Sequence, residues 1–186
     1  YNYLLFHTMA EGFAIIVAAL IYVLAIKTYK HSNNNYLLFL GIAYFYVAVI
    51  DFLHLITYKG MGIFPGFDAN PPTQLWIAAR FMEAVSLISA LFIINRKFSC
   101  FVVKAIYAVI TLIILSSIFW YRVFPACFVE GQGLTYFKIV SEYIISAILL
   151  AGLYLLFTKK QEFQTGIYKN VVASIVATII SELSFT

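Results

Sequence analysis

Eight ionisable residues fall inside otherwise apolar stretches of this sequence, and they come in pairs: His7 with Glu11, Asp51 with His54, Arg80 with Glu83, and Lys138 with Glu142. Members of a pair are three or four positions apart, the spacing that puts two side chains on one face of a helix. Arg80 and Lys138 suit an anionic group. Asp51 with His54, and His7 with Glu11, suit a bound cation or proton transfer. A carboxylate beside an imidazole also orients the ring, so Asp51 and His54 are expected to pair with each other. Glu182, in the last apolar stretch, adds another acid. Acids then outnumber bases, which implies a protonated carboxyl, a protonated His or a bound cation.

Other chemistry has weaker support. The sequence carries no HExxH, GxSxG, CxxC or phosphate-loop motif, so an enzyme is not expected. His7, Glu11, Asp51 and His54 are metal-ligand types without diagnostic spacing, and His7 and His54 are the only pair that suits a haem. No cofactor is assigned. Cys100 and Cys127 form no metal motif, and Cys127 reads as a free thiol on the oxidising side.

The elements that position these residues follow from composition. Of 186 residues, 63% are hydrophobic and 11% charged, with a mean hydropathy of +0.95. Soluble domains are about a quarter charged. A soluble globular domain and a disordered chain are both excluded. The apolar runs are too long for a membrane barrel, so the expected fold is all-α, a polytopic transmembrane helix bundle of about six spans. The expected spans are Tyr3–Thr28, Tyr36–Thr57, Thr73–Asn95, Phe98–Tyr121, Thr135–Thr158 and Tyr168 to the end. Pro72 and Thr73 are expected to open the third, and Thr135 the fifth.

Charge gives the orientation. Lys27, Lys30, Arg96, Lys97, Lys104, Lys159, Lys160 and Lys169 fall on one side, and only Lys59 and Arg122 on the other. The lysine-rich side is cytoplasmic by the positive-inside rule. The basic residues thus describe topology, and no nucleic-acid partner is expected. Cys100 and Cys127 lie on opposite sides, which excludes a mutual disulfide. The first residue is then extracytoplasmic without a signal-like segment, and the chain ends while still apolar, so a fragment lacking sequence at both ends is expected.

This orientation puts every pair in an outer half-span. The turn between the first two spans centres between Ser32 and Asn33, so Glu11 and His54 are equally distant from it and share a depth. Glu182 reaches the same level, at roughly 1.5 Å of rise per residue. Four helices then present polar faces at one level, and packing them inward is the least costly arrangement. Three readings remain open: a ligand or ion pocket, a structural ion network that fixes helix packing, and groups that snorkel to the interface. The outer breaks, YKGMGIFPGFDANPP and RVFPACFVEGQG, are long and rich in Gly, Pro and aromatics, which suits a lid over a pocket.

At NYLLFHTMAEGF (2–13), at NNYLLFLGIAYFYVAVIDFLHLITYKGMGIFPGFDANPPTQLWIAARFMEAVSL (34–87), at FPACFVEGQGLTYFKIVSEYIISAILL (124–150) and at the closing ISELSFT (180–186), the sequence resembles the third of the membrane-associated sensor families. The resemblance implies a membrane-integral sensor domain over 1–186, in the inner membrane of a prokaryote. It implies a cytoplasmic output domain in the same full-length chain, such as a histidine kinase of a two-component system or a diguanylate cyclase, and commonly a homodimer. It places the family's polar motif residues at His7, Glu11, Asp51, His54, Arg80, Glu83, Lys138 and Glu142. The family typically has a further helix before the first span and continues past the sixth, which this sequence does not show, and the resemblance supplies no ligand. The signal is expected to be a small molecule, ion or proton change. A transporter or proton channel is the first rival, disfavoured because the inner half-spans offer few ionisable residues. An intramembrane enzyme is the second, and a haem or metal protein the third.

Overall fold

The computed structural model describes residues 2–184, so Phe185 and Thr186 of the closing ISELSFT stretch lie outside it. Six helices are long and apolar enough to cross a membrane. They are α1 (Tyr3–Ser32), α2 (Asn35–Thr57), α3 (Asn70–Ile93), α4 (Cys100–Leu115, extended by a π turn over Ser116–Trp120), α5 (Tyr136–Thr158) and α6 (Thr165–Ser184). The ends are set by local chemistry. Asn2, Asn34, Ser99 and Thr135 cap α1, α2, α4 and α5 through their side-chain oxygens. Thr135 acts as expected. The third helix, by contrast, starts at Asn70 rather than at Pro72, because a proline in the first turn loses no hydrogen bond and already has a helical φ. The first helix continues past Thr28 to Ser32 and closes on Asn33, which is left-handed at φ 47°.

α2 and α3 form the centre of the bundle. Ile42, Ala43, Ile50, Leu75, Ile77 and Ala79 are buried there. α1 packs along α2, α5 along α3, and α6 along α5, while α4 leans on α2. The α1–α2 seam is tight because Gly41 faces Ile21, Tyr22 and Ala25, and a Cβ at that position would collide with Ala25. Small residues let membrane helices approach closely, where packing rather than water exclusion holds them. The outward faces of α1 and α4 carry exposed Phe13, Leu20, Phe101 and Leu112, as lipid contact requires. Trp120, Tyr121 and Tyr136 are exposed at the Lys59 and Arg122 end, the outer one by charge, where amphipathic rings mark an interface.

At that end the two long breaks fold against each other. Residues 124–135 form a small hairpin in which β1 (Phe128–Val129) pairs antiparallel with β2 (Gly133–Leu134). Gly131 and Gly133 supply positive φ, 81° and 88°. The hairpin is fastened to the start of α3. Asn70 Oδ1 accepts from the backbone N–H groups of Cys127 (2.8 Å) and Phe128 (3.1 Å). Gln74 Nε2 donates to the carbonyls of Phe124 and Pro125, both at 2.9 Å. Lys59 pairs with Glu130 across the two breaks. Cys127 is fully buried within this fold, and burial pushes its thiol up to about 12. The expected outward-facing thiol is therefore an inert packing residue. Both cysteines are free.

Candidate functional site

The helix geometry brings most of the polar residues to one level, but their partners differ from the pairs the spacing suggested. Arg80 stands at the centre. Its Nη2 donates to Asp51 Oδ2 at 2.7 Å and its Nη1 to Glu83 Oε2 at 2.5 Å. The other Glu83 oxygen accepts from the Tyr44 hydroxyl at 2.9 Å. Asp51 and Tyr44 are seven residues apart on α2, which is two helical turns, so both face α3. The guanidinium thus joins α2 to α3, with Asp51 and Glu83 buried and Arg80 partly buried. Two atoms of the network remain buried without a hydrogen bond, Asp51 Oδ1 and Arg80 Nε. Asp51, Arg80 and Glu83 line a cleft of about 270 Å³ that Phe13, Ala14, Val17 and Ala18 of α1 close from the other side.

The second ion pair lies within one helix. Lys138 Nζ is 2.6 Å from Glu142 Oε1, an i, i+4 contact on α5, with both side chains almost fully buried. The ammonium also stands 5.6 Å from the centre of the Trp76 ring, a favourable cation–π position. α3 and α5 both start at the outer end, so the Trp76–Lys138 contact puts Glu142 level with Arg80, each four residues further on. Glu182 of α6 is 1% exposed and lies within coulombic range of Arg80, Glu83, Glu142 and Lys138. The acid that the depth arithmetic placed at this level therefore arrives there from the last helix.

The histidines stand apart. His54 does not pair with Asp51. Its Nδ1 donates to the carbonyl of Pro72 at 2.8 Å, because the start of α3 passes beside the outer end of α2 and Asp51 is taken by Arg80. His7 does not bond to Glu11. It packs against Tyr58, with ring centroids 4.3 Å apart, and edge-on to His54 at 5.6 Å. Its Nε2 is buried without a hydrogen-bond partner. Glu11 is half-buried on the α1 stripe that also carries Ala14, Ala18 and Ala25.

The geometry bears on the expected chemistry in two ways. Arg80 and Lys138 are each paired with carboxylates. His7 and His54 stand edge to face with ring centroids 5.6 Å apart, and among the described residues no group of three His, Cys, Asp or Glu is placed to hold a metal. Three residues of the structure had no weight in the sequence reading: Tyr44, Trp76 and Gln74. Tyr44 had a signal, since it lies on the same α2 stripe as Asp51.

A family model described as a membrane-associated sensor domain, MASE3, matches residues 1–186. The chain belongs to the MASE3 family. No curated protein and no solved structure matches it. A MASE3 domain is a sensory module of the membrane, and six apolar helices agree with that. Within this MASE3 domain the buried ionisable groups draw on α2, α3, α5 and α6, and Arg80 holds α2 and α3 together by a charged hydrogen bond on each.

Proposed function

We propose that residues 1–186 form one membrane-integral sensor domain, the sensory input of a prokaryotic signal-transduction protein in the inner membrane. Its output domain, of histidine kinase or diguanylate cyclase type, lies on the cytoplasmic side of the same chain. The signal is a small molecule, an ion or a proton change that acts on Asp51, Arg80 and Glu83 from the cleft beside α1. Lys138 and Glu142 support the network from α5. His7, Glu11 and His54 form the rim between α1 and α2.

The observation that carries this reading is the Arg80 bridge. A ligand shifts a conformational equilibrium only as far as it binds one state better than the other. A species that draws Asp51 or Arg80 away from their mutual bond binds the opened arrangement better, so it has that differential affinity. Glu182 senses the same charges from α6, which gives a route along the last helix to an output domain. The shift is of the helix-sliding kind.

The test uses the intact signalling protein in membranes. Arg80→Gln is expected to hold output activity at one level that no longer responds to conditions that change the wild type, with membrane insertion retained. Wild-type output and response in that variant would overturn the reading. The transporter rival is tested separately, since solute or proton flux through the reconstituted domain is expected to be absent.

A further inference from the structure

The fold builds a second pocket, outside the bilayer level of the ion network. It lies between the break after α2 and the π turn of α4, with a volume of about 460 Å³, within the range of small-molecule sites. Asp68 and Arg122 both line it. Both are exposed and form no ion pair with each other, and Asp68 Oδ1 accepts from the Asn70 N–H at 3.0 Å, so the pocket carries one negative and one positive group. Lys59, which also feels Asp68, is committed to Glu130. Arg122 is held in a left-handed conformation at φ 53°, just past the turn in which the Tyr121 N–H bonds to the Ser116 carbonyl at 2.9 Å. Irregular turns of this kind recur at functional sites.

A third group points the same way. Gln74 is 5% exposed, and its Nε2 is spent on the Phe124 and Pro125 carbonyls. This fixes the amide orientation and leaves Oε1 as an acceptor on the pocket wall. Phe67 and Phe119 stack on each other along another wall, with centroids 6.0 Å apart, and offer an apolar surface to a side chain.

We infer that this pocket binds a small zwitterion of the α-amino-acid type with an apolar side chain. Its carboxylate pairs with Arg122, its ammonium with Asp68 and Gln74 Oε1, and its side chain rests on Phe67 and Phe119. The ligand bridges the outer end of α4 to Gln74 of α3, six residues before Arg80. Binding here is independent of whether the ion network transmits a signal, so the two claims fail separately.

The test is titration calorimetry on the protein in nanodiscs, with L-leucine and L-phenylalanine as probes. 4-Methylpentanoate and 3-methylbutylamine each keep one charge of leucine. Saturable binding of at least one amino acid is expected, with both single-charge analogues weaker by about tenfold or more. Arg122→Asn and Asp68→Asn are each expected to weaken binding by a similar factor. Asparagine tolerates the left-handed backbone, so the first change tests the charge rather than the turn. The proposal is overturned by no binding of either amino acid at millimolar concentration. It is also overturned by equal affinity for 4-methylpentanoate, or by undiminished binding in the two loop variants with melting temperatures like the wild type.

Discussion

Arg80 and Lys138 are two cations at neighbouring depths whose carboxylate pairs differ in kind. Lys138 pairs with Glu142 on its own helix. That contact survives any rigid movement of α5, because i, i+4 geometry is set by the helix itself. Arg80 pairs with Glu83 on its own helix and with Asp51 on the next. Only the second contact depends on how two helices sit against each other. A buried ion pair within one helix lowers the cost of placing charge in a membrane, whereas one between helices also records their arrangement. The MASE3 domain has both, and the Asp51–Arg80 bond is one whose length records how α2 sits against α3.

That contrast can be broken first at Arg80. Replacing it with Met leaves Asp51 and Glu83 buried without a counter-charge. Losing one partner of a buried pair costs roughly 3–5 kcal/mol, and this is the largest loss of thermal stability expected in detergent. A near-neutral result would show that the carboxylates find water or protons at no cost.

Lys138→Met takes the ammonium from Glu142 and forfeits the Trp76 contact. About half the Arg80 penalty is expected, with the α2–α3 seam unchanged, as read by cysteine cross-linking between those helices. A loss as large as that of Arg80→Met would place Lys138 in the inter-helix network as well.

Tyr44→Phe removes one hydrogen bond to Glu83 and keeps the ring. A loss of about 1–2 kcal/mol is expected, since a bond to a charged group is worth more than a neutral one. No loss would mean that Glu83 is held by Arg80 alone.

Much of this arrangement was legible in the sequence. The symmetry of the first hairpin set the depth scale, and the structure keeps it. His7 meets Tyr58, and Ala25 meets Gly41, pairs nearly equidistant from the turn between Ser32 and Asn33. The helices followed from hydropathy, and of their caps Thr135 was named from the sequence, while Asn2, Asn34 and Ser99 emerged with the structure. Partner choice did not follow. Spacing along one helix says that Asp51 and His54 share a face, but the partner is chosen by what the next helix presents there. The forked guanidinium of Arg80 bonds two carboxylates at once, which a single imidazole cannot match. The outer hairpin was hidden because strands of two residues leave no alternating pattern, and Asn70 and Gln74 look like ordinary helix-start residues until the loop they fasten is seen.

The central claim is that the Asp51–Arg80 bond is the element whose making and breaking sets the output. A double-mutant cycle on output activity in the intact signalling protein tests it most directly. If the bond is that element, Asp51→Asn, Arg80→Gln and the double variant give the same shifted, unresponsive output. Independent effects that add in the double variant would contradict the account.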